Sequence, residues 1–197
     1  MGMKRNRRVC IGIFLAVSMA FSAAAAADEA EEQKDFHKFN ESLGFQYGTI
    51  FGTGLSYQRW DSRQGFQAVF GAWYNPISTD VILDYAVGAE YQYSVYGEDF
   101  AKWLSGQLYL FAGLTHQGYI NVESTYDEET YETTYTQGPF GYVFGGGFGI
   151  GIEVILFEHF SIPFEIGYGI YWDGSKETLA EQFLVDLAFQ VGFRYRY

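Results

Sequence analysis

Every second residue over 183–197 is apolar or aromatic: Phe183, Val185, Leu187, Phe189, Val191, Phe193, Tyr195 and Tyr197. Between them lie Leu184, Asp186, Ala188, Gln190, Gly192, Arg194 and Arg196, mostly polar or small. Successive side chains on a strand point to opposite faces, so this pattern predicts a strand with one apolar and one polar face. The alternation recurs upstream. Two short runs at 43–48 and 55–60 flank a turn at 50–54. Residues 65–74 place Phe66, Ala68, Phe70, Ala72 and Tyr74 on one face. That run ends at Asn75-Pro76, because proline cannot donate to a ladder. The run over 81–95 alternates throughout its length. At about 3.3 Å per residue it reaches roughly 50 Å. Tilted by about 40°, that is enough to cross about 30 Å of hydrocarbon. Further runs at 105–117, 140–155 and 160–172 bring the count to eight. The first hairpin is the shortest and also reads as one kinked strand, which leaves six or ten strands open.

The start of the chain has a different pattern. Lys4, Arg5, Arg7 and Arg8 precede an apolar run at 9–21 and a small-residue stretch at 22–27 with Ala-x-Ala cleavage sites. This is the layout of a cleaved secretory signal peptide, so the expected division is 1–27 signal, 28–42 polar N-terminal tail and 43–197 barrel. Cleavage would remove Cys10, the single cysteine of the chain, and with it any disulfide or thiol chemistry. Losing the four cations moves the formal charge from −12 to −16. So acidic a chain, with no basic patch, excludes nucleic acid as a partner. Beyond the signal there is no run of eighteen apolar residues, so a membrane could be crossed only by a closed barrel.

With an even strand count both ends of the barrel lie on one side. The turns at 61–64, 97–104 and 156–159 then fall on that side. The segments at 50–54, 75–80, 118–139 and 173–182 fall on the other. The signal-like start, the alternating strands, this asymmetry of loop length and the aromatic C-terminus resemble the small bacterial outer-membrane β-barrel proteins. The resemblance covers the whole chain after residue 27 and is one of class. It implies an all-β fold, an eight-stranded antiparallel up-and-down transmembrane β-barrel in the bacterial outer membrane. It also implies outer-membrane lipid and the barrel-assembly machinery as partners, with Phe193, Tyr195 and Tyr197 as the assembly signal.

The polar faces of the strands carry Asp84, Glu90, Glu153, Glu165 and Asp186 against Arg194 and Arg196. Unpaired buried charge is costly, so these residues are expected to form a structural network inside the barrel. Eight strands leave a lumen that side chains roughly fill. The glycines at Gly145, Gly147, Gly149 and Gly151 would make room for large inward neighbours such as Tyr109, Phe111 and Tyr171. No helix follows them, which argues against a phosphate loop.

Chemistry is sparse. After the signal the histidines are His37, His116 and His159, and none has the serine or acid partners that a triad demands. No catalytic residue, cofactor or metal ligand is therefore expected. The segment 118–139 interleaves Glu123, Asp127, Glu128, Glu129 and Glu132 with Tyr119, Tyr126, Tyr131 and Tyr135. It is the candidate surface for an extracellular ligand, set against a simpler reading as strand stems extended into solvent. The expected function is a structural or surface-interaction barrel. A narrow channel is the first alternative. A secreted lipocalin-like barrel is the second, and it would turn the apolar face inward.

Overall fold

The computed structural model describes residues 38–78, 80–127 and 131–197. The predicted signal at 1–27, most of the tail and His37 lie outside the described residues. Eight strands follow in order: β1 (Glu41–Gly48), β2 (Gly54–Asp61), β3 (Gln64–Tyr74), β4 (Val81–Ala101), β5 (Leu104–Asp127), β6 (Glu132–Leu156), β7 (Phe160–Asp173) and β8 (Phe183–Arg196). Each pairs antiparallel with its sequence neighbour, and β8 returns to β1 to close the ring. A short helix, α1 (Leu179–Gln182), precedes β8.

The ladder has a stagger. From Phe193 the directly opposite residues run through Phe45, Leu55, Phe70, Val87, His116, Phe144 and Trp172, and return to β8 at Phe183, ten positions from the start. A stagger of that size tilts the strands by about 40°. The end that holds Glu41 and Arg196 is called the base here, and the opposite end the rim.

The facing is unambiguous. Leu43, Phe45, Phe66, Phe70, Val87, Ile150, Ile152, Phe164, Leu187 and Phe189 are exposed on the outside. Gln46, Gln58, Gln67, Gln92, Gln107, Glu90, Glu153, Glu165, Gln190 and Arg194 are buried in the lumen. This is the reverse of a soluble ligand-binding barrel, and the lipocalin-like alternative falls with it.

Three expected segments differ. The turn expected at 97–104 is almost all strand, with β4 and β5 joined through Lys102 and Trp103. The long segment at 118–139 is mostly strand too, because β5 and β6 stay paired from Val122–Gln137 out to Asp127–Glu132. Thr125, Tyr126, Thr133, Thr134, Tyr135 and Thr136 favour strand, and with no apolar face to bury they suit a solvated two-stranded ribbon beyond the membrane-length run. The polar tail was expected as a segment apart from the barrel, yet its last residues dock on the base. Trp60 N–H donates to the Asn40 carbonyl, Phe39 stacks on His159 at 4.3 Å, and Lys38 pairs with Glu158 at 2.6 Å.

Candidate functional site

The lumen and its rim hold the features on which a function could rest. The first is the β1–β2 connection. It was expected as an outside loop, but it folds into the barrel, and Ile50 and Phe51 become fully buried. Its seat is made of small residues on distant strands. A Cβ at Gly147 would overlap the Ile50 side chain, one at Gly88 the Phe51 carbonyl, and one at Gly71 the Thr53 carbonyl. Gly52 sits at φ +95 against the Ala86 methyl, a conformation and a clearance that suit glycine alone. Tyr171 Oη donates to the Thr49 carbonyl at 2.7 Å, and Phe51 N–H donates to Gln190 Oε1 at 3.0 Å. The segment is held as a plug. Below it Phe51 meets Phe111 edge-on at 6.0 Å, and Trp60 meets Tyr109 edge-on at 5.7 Å.

The inward glycines of β6 are explained one by one. Gly145 faces Tyr171 and Thr115, Gly149 faces Phe111, and Gly151 faces Tyr109. The expected partners are there, and Ile50 is the one that was not foreseen.

A polar layer surrounds the aromatic one. Arg194 is completely buried and stands at its centre. It donates to Ser56 Oγ at 3.0 Å, to Gln46 Oε1 at 2.9 Å and to Gln67 Oε1. Gln58 passes a bond to Gln92 at 2.7 Å. Glu165 accepts from Tyr109 and Gln190, Glu90 accepts from Gln92, and Glu153 accepts from Gln107. Arg194 Nη1, Glu90 Oε2 and Glu153 Oε1 have no protein partner, and internal water commonly satisfies such groups.

The expected charge network is therefore corrected in two ways. Glu90, Glu153, Glu165, Arg194 and Arg196 are lumenal and buried, but Asp84 and Asp186 are exposed at the rim. Nor does Arg194 grip a carboxylate directly, since the hydrogen bonds it makes run to glutamine and serine oxygens. Arg196 lies at the base, where Nη2 donates to the Phe39 carbonyl at 2.8 Å. Neutral amides carry the network because each offers two donors and one acceptor oxygen without the cost of dehydrating a charge. Gln46, Gln58, Gln67, Gln92, Gln107 and Gln190 were legible as a group, because each occupies the polar phase of an alternating run.

Outside, aromatic residues gather near both ends. At the rim end His116 stacks on Phe144 at 4.5 Å, and Phe144 on Trp172 at 6.2 Å. His116 Nε2 also shares a hydrogen bond with Tyr85 Oη at 3.0 Å. At the base end His159 stacks on Tyr195 at 5.4 Å, and Phe160 on Phe193 at 5.8 Å. Phe193, Tyr195 and Tyr197 all point outward and are about half exposed. His116 and His159 thus belong to aromatic clusters at opposite ends. Beyond the rim the β5–β6 ribbon stands free of its neighbours, with Tyr126, Tyr131 and Tyr135 exposed.

No protein-family model matches the chain, and no curated protein matches it in sequence. Solved structures do resemble it. The N-terminal β-barrel domain of Pseudomonas aeruginosa OprF is 11% identical, covers 80% of this chain and 97% of its own, and superposes with a TM-score of 0.47. CarO of Acinetobacter baumannii is 10% identical over 81% of this chain and 98% of its own, with a TM-score of 0.35. Ail, the attachment invasion locus protein of Yersinia pestis, is 14% identical over 80% of this chain and 97% of its own, with a TM-score of 0.32. By its own strand pairing the chain is a closed eight-stranded antiparallel up-and-down β-barrel, the architecture of the small outer-membrane barrels.

Proposed function

We propose that the protein is an integral outer-membrane barrel that acts as a scaffold, closed through its centre, for the surface it presents at the rim. One observation carries this reading: the faces are sorted for lipid outside and for a filled, hydrogen-bonded lumen inside. A water-soluble barrel with Phe45, Phe66, Phe70, Phe164, Leu187 and Phe189 on its exterior would aggregate. In a bilayer those residues are solvated by acyl chains, and the aromatic clusters near the two ends suit the two interfaces. Inside, Ile50, Phe51, Trp60, Tyr109 and Arg194 leave no room for a wide aqueous path. What remains for contact with the surroundings is the β5–β6 ribbon, whose tyrosines and acidic residues form the surface-interaction element.

Two measurements test this. The membrane-extracted protein should run as a compact band in SDS and shift on boiling, because a closed ladder resists the detergent. The refolded protein should carry no steady unitary current in a planar bilayer. A soluble periplasmic protein without a heat shift would overturn the membrane placement, and a steady current would overturn the closed lumen.

A further inference from the structure

The barrel wall is not equally tall all the way round. β1 stops at Gly48 against Gln190, with one further bond from Thr49 N–H to the Phe189 carbonyl. β8 continues toward the rim as far as Phe183, so on its β1 side residues 183–188 have no paired strand. Across the short hairpin β2 reaches only Leu55 against Phe70, while β3 continues to Tyr74. The connection between β1 and β2 does not fill this gap, because it is folded down into the lumen. A notch remains, flanked by β8 and β3 and floored by the β1–β2 hairpin.

A cleft of about 700 Å³ lies on the β3 side of this notch, a volume that falls within the roughly 300–1,000 Å³ of small-molecule sites. Its lining combines both faces of the barrel. Phe45 and Tyr47 come from the outer face, and Trp73, Asp84, Ala86 and Gln117 from the inner phase of their strands. The cleft thus runs from the outer surface into the mouth of the lumen above the plug. We propose that it is a lateral port that takes one acyl chain of a lipid from the surrounding leaflet, an inference that rests on the membrane placement above.

Three features select that occupant. The first is position. Phe183 lies opposite Trp172 in the rim-end aromatic cluster, and the exposed Val185 and Leu187 follow it toward the base. The notch therefore opens in the apolar band, where the neighbours are lipids. The second is the inner wall. Among the residues that line the cleft, the inward phase carries Trp73 on β3, a large apolar side chain that is 67% exposed. Apolar side chains that look into the mouth are wasted on water and suit a methylene chain. The third is the pair of strand edges without a neighbouring strand, where Asp186 Oδ1 accepts from Leu187 N–H at 2.8 Å and the backbone groups beside it have no ladder partner. Unpaired backbone groups at membrane depth need a hydrogen-bonding partner or a polar cavity. The ester linkage of a lipid offers acceptors to such an edge, and Asp84 and Gln117 offer polar contacts at the cleft. A bare alkane would satisfy neither.

The test places bimane on single cysteines in the mature chain at Ala86→Cys (notch, inner side), Val143→Cys (inner side of the opposite wall) and Leu187→Cys (outer face). Each is reconstituted in phosphatidylcholine vesicles with brominated acyl chains, which quench only on contact, and each must first show the heat shift of a folded barrel. The expected result is a loss of fluorescence at Ala86 comparable with that at Leu187, with Val143 unaffected. A quenched Leu187 with an unquenched Ala86 overturns the port and leaves the membrane placement standing. Equal quenching at Ala86 and Val143 also overturns it, because lipid would then fill the mouth without using the notch. An unquenched Leu187 overturns the membrane placement itself, and the port with it. Should the Ala86 label prevent folding, Trp73 serves as the probe. Brominated lipid should then remove a component of native tryptophan emission that is missing in Trp73→Phe, and equal quenching of the two proteins overturns the port.

Discussion

Gly88 and Gly147 lack side chains where another segment of the chain has to pass. At Gly88 the obstacle to a Cβ is the backbone of Phe51, which cannot swing aside as a side chain can. Gly88→Ala should therefore unseat the 49–53 turn and cost about 1–3 kcal/mol, the usual range for overpacking. Chemical denaturation in detergent would show the loss, and limited proteolysis should find a cut within 49–53 that the native protein resists. Arg194 sets the opposite kind of problem. Arg194→Met removes the donor that satisfies Gln46, Gln67 and Ser56 and leaves the buried carboxylates Glu90 and Glu165 without their nearest cation. About 3–5 kcal/mol is the expected loss when a buried charge loses its compensation. Arg194→Lys should recover only part, since an ammonium lacks the planar fork that reaches several acceptors at once. At this scale the sequence was informative about which residues face inward and less so about what they bond to. Alternation marked Arg194 and Glu165 as lumenal. It could not show that glutamines would stand between them, because an inward Gln and an inward Ala satisfy the same pattern. Asp84 and Asp186 share the inward phase but lie at the rim, and height is not encoded in a period of two.

Strands behave as their alternation predicts, and the consequence is directional. Leu187 and Leu184 are three residues apart on β8, both exposed, and on opposite faces. Leu187→Arg puts a charge on the lipid side and should cost about 2–4 kcal/mol near the midplane. Leu184→Arg puts the same charge at the mouth of the lumen, where water reaches it, and should leave membrane assembly intact. Heat-shifted band intensity in the outer-membrane fraction separates the two. Equal assembly of both variants would contradict the facing. The β5–β6 ribbon makes a second prediction. Beyond Asn121 and Val143 it has no paired neighbour. Replacing 123–136 with a two-residue Asn-Gly turn should leave SDS resistance unchanged while removing any surface contact the protein makes. Eight strands follow the eight alternating runs, and the shortness of the first hairpin is what left six or ten open in the sequence. The inward course of 49–53 could not be read there, because Ile50-Phe51-Gly52-Thr53-Gly54 has the composition of an ordinary turn. Its destination depends on Gly71, Gly88 and Gly147, which belong to three other strands.

For the whole molecule the question is which layer closes the barrel. Two lie in series. The upper is the plug of Ile50 and Phe51, and the lower is the packed set of Trp60, Tyr109 and Phe111 with the glutamine–Arg194 network around it. The plug residues are bound by apolar contact, which contributes about 1.5–3 kcal/mol for each fully buried side chain. Substituting an Asn-Gly turn for 49–53 should therefore weaken the protein by about that amount for each of Ile50 and Phe51, yet keep the ring closed, because the stretch gives the β1–β8 ladder one terminal bond, from Thr49 N–H to the Phe189 carbonyl. If the lower layer is the seal, this variant stays silent in a planar bilayer although its mouth has deepened. Adding Tyr109→Ala then opens a path, since Gly151 opposite offers nothing to fill the space Tyr109 leaves. Current from the turn variant alone would reverse the assignment and make the folded-in turn the gate of a narrow pore. The silent outcome is expected, because Arg194 and Tyr109 are fully buried from the base side as well as from the rim. A lumen with a plug only at its top would leave them open to water from below.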